Sequence, residues 1–329
     1  MENLHHLVST RAKHLSQVSI GEVSVQIAGE NSEDVGLFPA LCAFQANCEN
    51  PDIRMQVRWV EKLHQSEHSR LFDSGSIWRL YSCGEGFCFD FIAETLSPSP
   101  YKRLTIDRQF RSARLEMSAD FFANSGCQVI PLEYPLDELL IMHRLTQEKA
   151  IELHGCGLVR ANGIGNLFVG HSGAGKSTTT RLWTALEDVE VLSDDRIIVR
   201  RDGAEKQVPR FARNDNPGGD AEIRHRNPKH KIRMYGTPWH GEARYASPKS
   251  APLARIFILE HGHGNVLTPL SPGQAVAELF ARSFVPFHRH EYVVSALTFL
   301  EEVVANVPVY RFAFEPDHRA VDAILNLHD

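Results

Sequence analysis

The sequence has no long apolar run. Its longest stretch without Asp, Glu, Lys or Arg is His261 to Ala277, which holds two prolines and three glycines. A membrane-spanning helix needs about 20 mostly apolar residues, so no span is expected. The first 20 residues carry charge throughout and have no apolar h-region, so no secretory signal is expected. Cysteine is sparse. The six residues stand at 42, 48, 83, 88, 127 and 156, and none forms CxxC. That pattern offers neither a disulfide framework nor the paired ligands of a Cys/His zinc site. Reduced, partly buried thiols in a cytoplasmic protein are the expectation. Cys83 and Cys88 flank a hairpin turn and are the one pair placed to cross-link. Basic excess is missing too. Lys and Arg total 35 against 41 Asp and Glu, a net charge of −6, which argues against nucleic acid held on a broad basic face.

What is present is an ordinary globular composition, 43% hydrophobic and 23% charged over 329 residues, long enough for two domains. The first half reads as strands. Val23, Val25 and Ile27, and then Ile53, Met55, Val57 and Trp59, alternate with their neighbours at the period of a half-buried strand. Trp78–Cys83 and Phe87–Ile92 flank the hairpin signal Gly84-Glu85-Gly86. Further strands begin at Leu104 and Ala113, and short polar connections point to an antiparallel sheet.

The pattern then changes. A helix is expected over Pro135–Thr146, and a strand over Ala150–His154 broken by Gly155-Cys156-Gly157, with Leu158–Ala161 as its hairpin partner. An apolar strand at Asn166–Val169 is followed by a glycine loop and a helix at Lys176–Leu186. Strands follow at Val189–Leu192 and Ile197–Arg200. Residues 201–235 read as a long polar loop. Within it Arg210–Arg233 carries seven Lys/Arg against three Asp/Glu, a local +4 suited to an anionic partner. A strand at Ala254–Leu259, a helix opened by Ser271-Pro272, a helix over Glu291–Val304, a strand at Val309–Phe314 and a last helix from Asp317 complete the reading. The division is placed at 133/134: a smaller β-rich unit (1–133), then an α/β (mixed α+β) unit (134–329).

Gly170-His171-Ser172-Gly173-Ala174-Gly175-Lys176-Ser177 fits GxxxxGK[ST], with Thr178 next, an apolar strand before it and a helix after it. The glycines let consecutive N–H groups turn toward phosphates, and the helix adds its positive end. Lys176 supplies charge to the β and γ phosphates, and Ser177 a hydroxyl for Mg²⁺. Seventeen residues after Lys176, Ser193-Asp194-Asp195 closes an apolar strand. Two adjacent carboxylates permit one to serve the metal and the other to act as base toward an incoming hydroxyl. His154, at the end of a strand expected beside the P-loop strand, is placed to pair with an acidic base. Tyr235-Gly236-Thr237-Pro238-Trp239-His240-Gly241-Glu242 reads as a rigid turn, with Trp239, His240 and Glu242 as candidate walls of an acceptor pocket. His261, His263, His288 and His290 have no acidic or cysteine partner at ligand spacing, so no metal centre is expected there.

His154-Gly155, GHSGAGKST at 170–178 and LSDD at 192–195 resemble the core of the HPr kinase/phosphorylase family, which is related to ATP-dependent phosphoenolpyruvate carboxykinase. The GTPWHGE segment is similar to a bacterial subgroup, and some relatives in that wider group are linked to peptide-modifying systems, including kinases of lasso-peptide precursors. The resemblance covers about residues 135–329. It implies a P-loop kinase domain of HPr kinase type, ATP and Mg²⁺, and transfer to Ser or Thr of a peptide or small protein. It also implies a homo-oligomer. By matching, it makes Asp194 the base, with His154 against it, and Asp195 the second carboxylate near the metal. Lys176 and Ser177 match the phosphate-binding lysine and the metal-ligating hydroxyl. Glu-x-Arg-Gly, which follows the double Asp in the family, is absent; GTPWHGE stands there instead. The family's late arginine-rich segment has only Arg282, Arg289 and His290 to stand for it. A kinase of a small hydroxylated metabolite and a nucleotide-binding sensor without transfer are the alternatives. A transporter ATPase is disfavoured because Leu-Ser-Gly-Gly-Gln is missing.

Overall fold

The computed structural model describes residues 14–185, 189–203 and 231–327. Most of the expected basic segment 210–233 therefore lies outside the described residues. The chain forms a mixed α/β structure with two sheets. The first contains β1 (His14–Ile20), β2 (Val23–Gly29), β3 (Ile53–Val60), β4 (Arg70–Asp73), β5 (Trp78–Cys83), β6 (Gly86–Phe91), β7 (Lys102–Asp107) and β8 (Ser112–Ser118). Their spatial order is β1-β2-β3-β8-β7-β6-β5-β4. Ile53, Met55 and Val57 point inward with Leu104, Ile106, Leu115 and Met117, as the two-residue period requires. The β5–β6 hairpin turns at Gly84 (φ +56°).

The sheet is not purely antiparallel. β3 runs parallel to both β2 and β8. The chain between β2 and β3 is long enough to carry α1 (Pro39–Cys42) across the sheet and return in the same direction, and a periodicity reading carries no strand direction. The register sets Cys88 opposite Tyr81 and Cys83 opposite Gly86, and all six cysteines are free.

After α2 (Ala119–Ser125) comes α3 (Leu136–Leu145), just behind the expected division at 133/134. Its Leu136, Leu139, Leu140 and Ile141 belong to the core of the first sheet, together with Ile198, Tyr235 and Trp239 from the second half. The two halves thus share a buried layer. Arg200 donates to the Gly21 carbonyl (3.0 Å), and the Tyr235 hydroxyl to Glu22 (2.8 Å).

That layer also contains a neutral histidine. His143 stacks on Phe110 with centroids 4.5 Å apart and lies 5.2 Å from the His288 ring. Burial pushes the imidazole of His143 down to about 3 and that of His288 down to about 4. In the unfolded chain both titrate near ~6.5, so the unfolded state takes up protons first and stability falls as pH drops below that value. Asp137, pushed up to about 6 by burial, acts in the opposite direction between its two values. His143→Phe isolates the histidine's part: it should remove about 2–3 kcal/mol of the acid destabilisation between pH 8 and pH 4.5. Urea melts at the two pH values check this, and an equal pH difference in both proteins would refute it.

The second sheet contains β9 (Ala150–Val159), β10 (Gly165–Val169), β11 (Glu190–Ser193), β12 (Arg196–Arg201), β13 (Ile232–Tyr235), β14 (Ser250–His261), β15 (Val266–Pro269), β16 (Ser283–Phe284) and β17 (Val309–Phe314). β10 and β17 flank β14 in parallel. Side chains alternate between the faces. Leu167, Val169, Ile256 and Ile258 pack under α5 (Pro272–Phe280) and α6 (His290–Asn306). Phe168, Phe257 and Phe312 pack under α4 (Lys176–Thr184) and α7 (Arg319–Leu325). Helices therefore cover both faces. No helix among the described residues is long and apolar enough to cross a membrane.

Two local expectations are corrected. Gly155-Cys156-Gly157 does not break a strand, and 158–161 is not a hairpin partner: β9 runs through as one ten-residue strand. Its glycines are close-approach positions. A Cβ on Gly155 would lie 2.8 Å from the Phe168 carbonyl, and one on Gly157 would lie 2.7 Å from Ile197. The ends of the loop expected over 201–235 are paired strand, since Arg201 opposes Ile232 and Ile198 opposes Tyr235.

Candidate functional site

β9 changes partners on both edges near His154. On one edge it pairs with β12 up to His154 and with β11 from Gly157, and the break between them holds Asp194 and Asp195. On the other edge, the Arg282 carbonyl accepts from the His154 N–H (2.8 Å), and the His154 carbonyl accepts from Gly170 N (3.2 Å), where β10 passes into the glycine loop. One residue thus joins the glycine loop, the double Asp and the segment after α5.

The loop has the form its sequence demands. Gly173 and Gly175 have φ of +81° and +104°, and a Cβ on Gly175 would lie 2.4 Å from the Phe314 ring. At Gly170 a Cβ would press on Ala174 at 2.7 Å. His171, Ser172 and Gly173 are exposed at the loop tip, while Ser177 and Thr178 are half-buried in the first turn of α4. Lys176 folds back, donating to the carbonyls of Gly170 and His171 at 3.0 Å each. Burial holds its ammonium below the usual lysine value, and the Asp195 charge partly opposes that. The His171 imidazole is held down chiefly by the Arg282 charge.

The double Asp divides differently from the expectation. His154 Nε2 pairs with Asp195 Oδ1 at 3.0 Å, so His154 sits against the second carboxylate and not against Asp194. Burial acts to raise Asp195, but the His154 hydrogen bond and the Arg196 and Lys176 charges outweigh it and hold the carboxyl below the usual range. Asp194 is buried and turned away. Its carboxylate accepts from the backbone N–H groups of Gly241 (3.1 Å), Ala243 (2.9 Å) and Tyr245 (3.2 Å). A carboxylate so occupied holds a loop in place, whereas Asp195 is the carboxylate paired with His154 and Arg196.

The acceptor-pocket expectation for Trp239 is also corrected. Its indole is 5% exposed and donates to Asp137 at 3.0 Å, so it pins the turn to α3 instead of lining a surface. Gly236 allows the turn to pass, because a Cβ there would lie 2.0 Å from the Ser247 carbonyl. His240 and Glu242 are exposed on the same turn. Arg282 is held by Glu278 beside His171, next to the P-loop. Arg289 pairs with Glu291 (2.6 Å) and lies over Tyr292, at the start of α6.

Sequence reasoning missed His261, whose Nε2 faces the Gly173 carbonyl at 2.8 Å. The sequence held no signal for it: the placement follows because β14 lies parallel to β10, so their carboxyl ends emerge at the same edge, and strand direction is not legible in periodicity. A cleft of about 440 Å³ lies on the first sheet, lined by Arg70, Arg79, Tyr81 and Asp90 among others. Its charges are already paired, Arg79 with Glu94 and Asp90 with Arg103 at 2.6 Å each, and it contains neither the glycine loop nor the double Asp.

The donor set suits a nucleotide phosphate with Mg²⁺: a glycine cradle with open space at Gly173, a lysine that among the described residues donates to loop carbonyls, and hard oxygens on Ser177 and Asp195. Among the described residues no group of three or more His, Cys, Asp or Glu side chains could hold a metal alone. No protein-family model matches the chain, and no curated protein matches it.

Proposed function

We propose that this chain is an ATP-dependent, Mg²⁺-requiring phosphotransferase with an alcohol acceptor, Ser or Thr of a peptide or small protein, on a P-loop kinase domain of HPr kinase type. The observation that carries this reading is the His154–Asp195 pair, joined to the start of the glycine loop by the Gly170 N–H on the His154 carbonyl, with the Asp195 charge acting on Lys176. A carboxylate oriented by an imidazole beside a phosphate-binding lysine is suited to position a hydroxyl and accept its proton. Ser177 and Asp195 supply the oxygens that would hold Mg²⁺, which when bound neutralises charge between the β and γ phosphates. Lys176 leaves its loop carbonyls for the phosphates, and the loop N–H groups and the α4 N-terminus complete the anion cradle. The resemblance to the HPr kinase family supports the same assignment, with a homo-oligomer as its implied assembly.

Lys176→Ala tests the nucleotide half. In the intact chain, Mg-ATP at about 100 times its Kd should add ~2.7 kcal/mol to stability. The variant should lose most of that thermal shift, and an unchanged shift would remove the P-loop argument. The acceptor half is read by mass spectrometry of a lysate incubated with γ-labelled ATP. A thermal shift without any labelled acceptor would favour the sensor alternative.

A further inference from the structure

The face of β9 that carries His154 also carries Glu152, two residues earlier and 1% exposed. On β12, Arg196 stands opposite His154, and its guanidinium lies 4.6 Å from the Phe284 ring centre. Arg196 touches three carboxylates: Asp195 through Nη1, and Glu138 of α3 and Glu152 (3.4 Å) through Nε. Asp137 on α3, Tyr134 ahead of it and His154 on the same face of β9 are further titratable groups near Glu152. Among the described residues neither Glu152 oxygen meets hydrogen-bond geometry, so the 3.4 Å ion pair with Arg196 is a weak compensation for its burial. One guanidinium cannot balance Glu138, Glu152 and Asp195 together, and a buried carboxylate so weakly compensated is strongly disfavoured in its charged form.

We propose that Glu138 and Glu152 share a single proton, and that this half-neutral pair keeps Arg196 on Asp195. Glu152 is then a positioning residue. Acting through Arg196, it fixes the carboxylate that His154 also orients. Losing the shared proton would put a second charge beside Arg196 and draw the guanidinium off Asp195. Burial and the neighbouring Glu138 charge raise Glu152 well above the usual carboxylate range, in keeping with this. The catalytic consequence rests on the phosphotransferase reading; the proton and the arginine contact do not.

The test uses the full chain and Glu152→Gln, whose neutral amide imitates the protonated acid. At pH 8, where Asp137 is ionised, infrared spectra should show the C=O band of a protonated carboxylic acid in wild type and not in the variant. The Arg196 Nε–H resonance in NMR should shift on alkaline titration with the same midpoint as loss of the band, and should stay flat in the variant. Absence of the band, or an Arg196 resonance that does not follow it, would overturn the proposal. With an acceptor in hand, wild type should lose kcat on the alkaline limb with little change in the KM for ATP, and Glu152→Gln should keep kcat within about twofold and lack that limb. Identical alkaline limbs would overturn the positioning role. If no variant, wild type included, transfers phosphate, the phosphotransferase reading falls, while the band and the resonance still decide the proton pair.

Discussion

Asp195→Asn is expected to lower phosphoryl transfer by about 10²- to 10⁴-fold, the usual cost of a lost positioned base. Asn keeps the shape of the side chain and a hydrogen bond toward His154, but cannot take the acceptor's proton. Because the charge of this carboxylate also acts on Lys176 and it would contribute to the metal site, the Mg²⁺ dependence should weaken as well. ATP binding, measured by calorimetry, should change far less than turnover. His154→Ala should fall between wild type and Asp195→Asn. Its hydrogen bond helps hold Asp195 below the ordinary carboxylate value, and the active form is the ionised one. Removing the imidazole raises the Asp195 pKa, so the acid limb of the pH–rate profile should move to higher pH. Steady-state transfer against pH checks both variants. Near-normal transfer by Asp195→Asn would remove the base from this position.

Asp194→Ala should behave as a folding defect. It strips the acceptor from three backbone N–H groups, those of Gly241, Ala243 and Tyr245. Each orphaned donor costs about 1–3 kcal/mol, so a total loss of roughly 3–5 kcal/mol is expected after partial hydration of the freed turn. Asp194→Asn should cost less, since an amide oxygen can still serve Gly241 and Tyr245 while its NH₂ group faces Ala243. Denaturant melts give the magnitude. Hydrogen exchange gives the location: protection should fall first in the segment from Trp239 to Ala246. A variant that is as stable as wild type but inactive would return the catalytic base to Asp194.

These two neighbours show where reading the sequence stops. Gly170 to Ser177 is legible because its chemistry is contiguous: glycines at +81° and +104°, a lysine and a hydroxyl lie within one turn of chain, and a strand and a helix necessarily flank them. The period-two alternation in β2, β3, β7 and β8 is local in the same way. What the sequence by itself determined is therefore the glycine loop between a strand and a helix, the presence of an acidic pair soon after it, and the inward faces of β2, β7, β8 and β3 as far as Val57, since Trp59 at the end of β3 is exposed. It did not determine which carboxylate does what. Asp194 and Asp195 are chemically identical neighbours, and their side chains diverge because β9 passes from β12 to β11 between them while a turn 47 residues away from Asp194 presents its N–H groups to one side only. Trp239 and Gly155 are misread for the same reason: an aromatic in a turn and a glycine in an apolar run take their meaning from α3 and β10 packed against them. Those contacts join residues far apart in the chain, and only tertiary packing decides them.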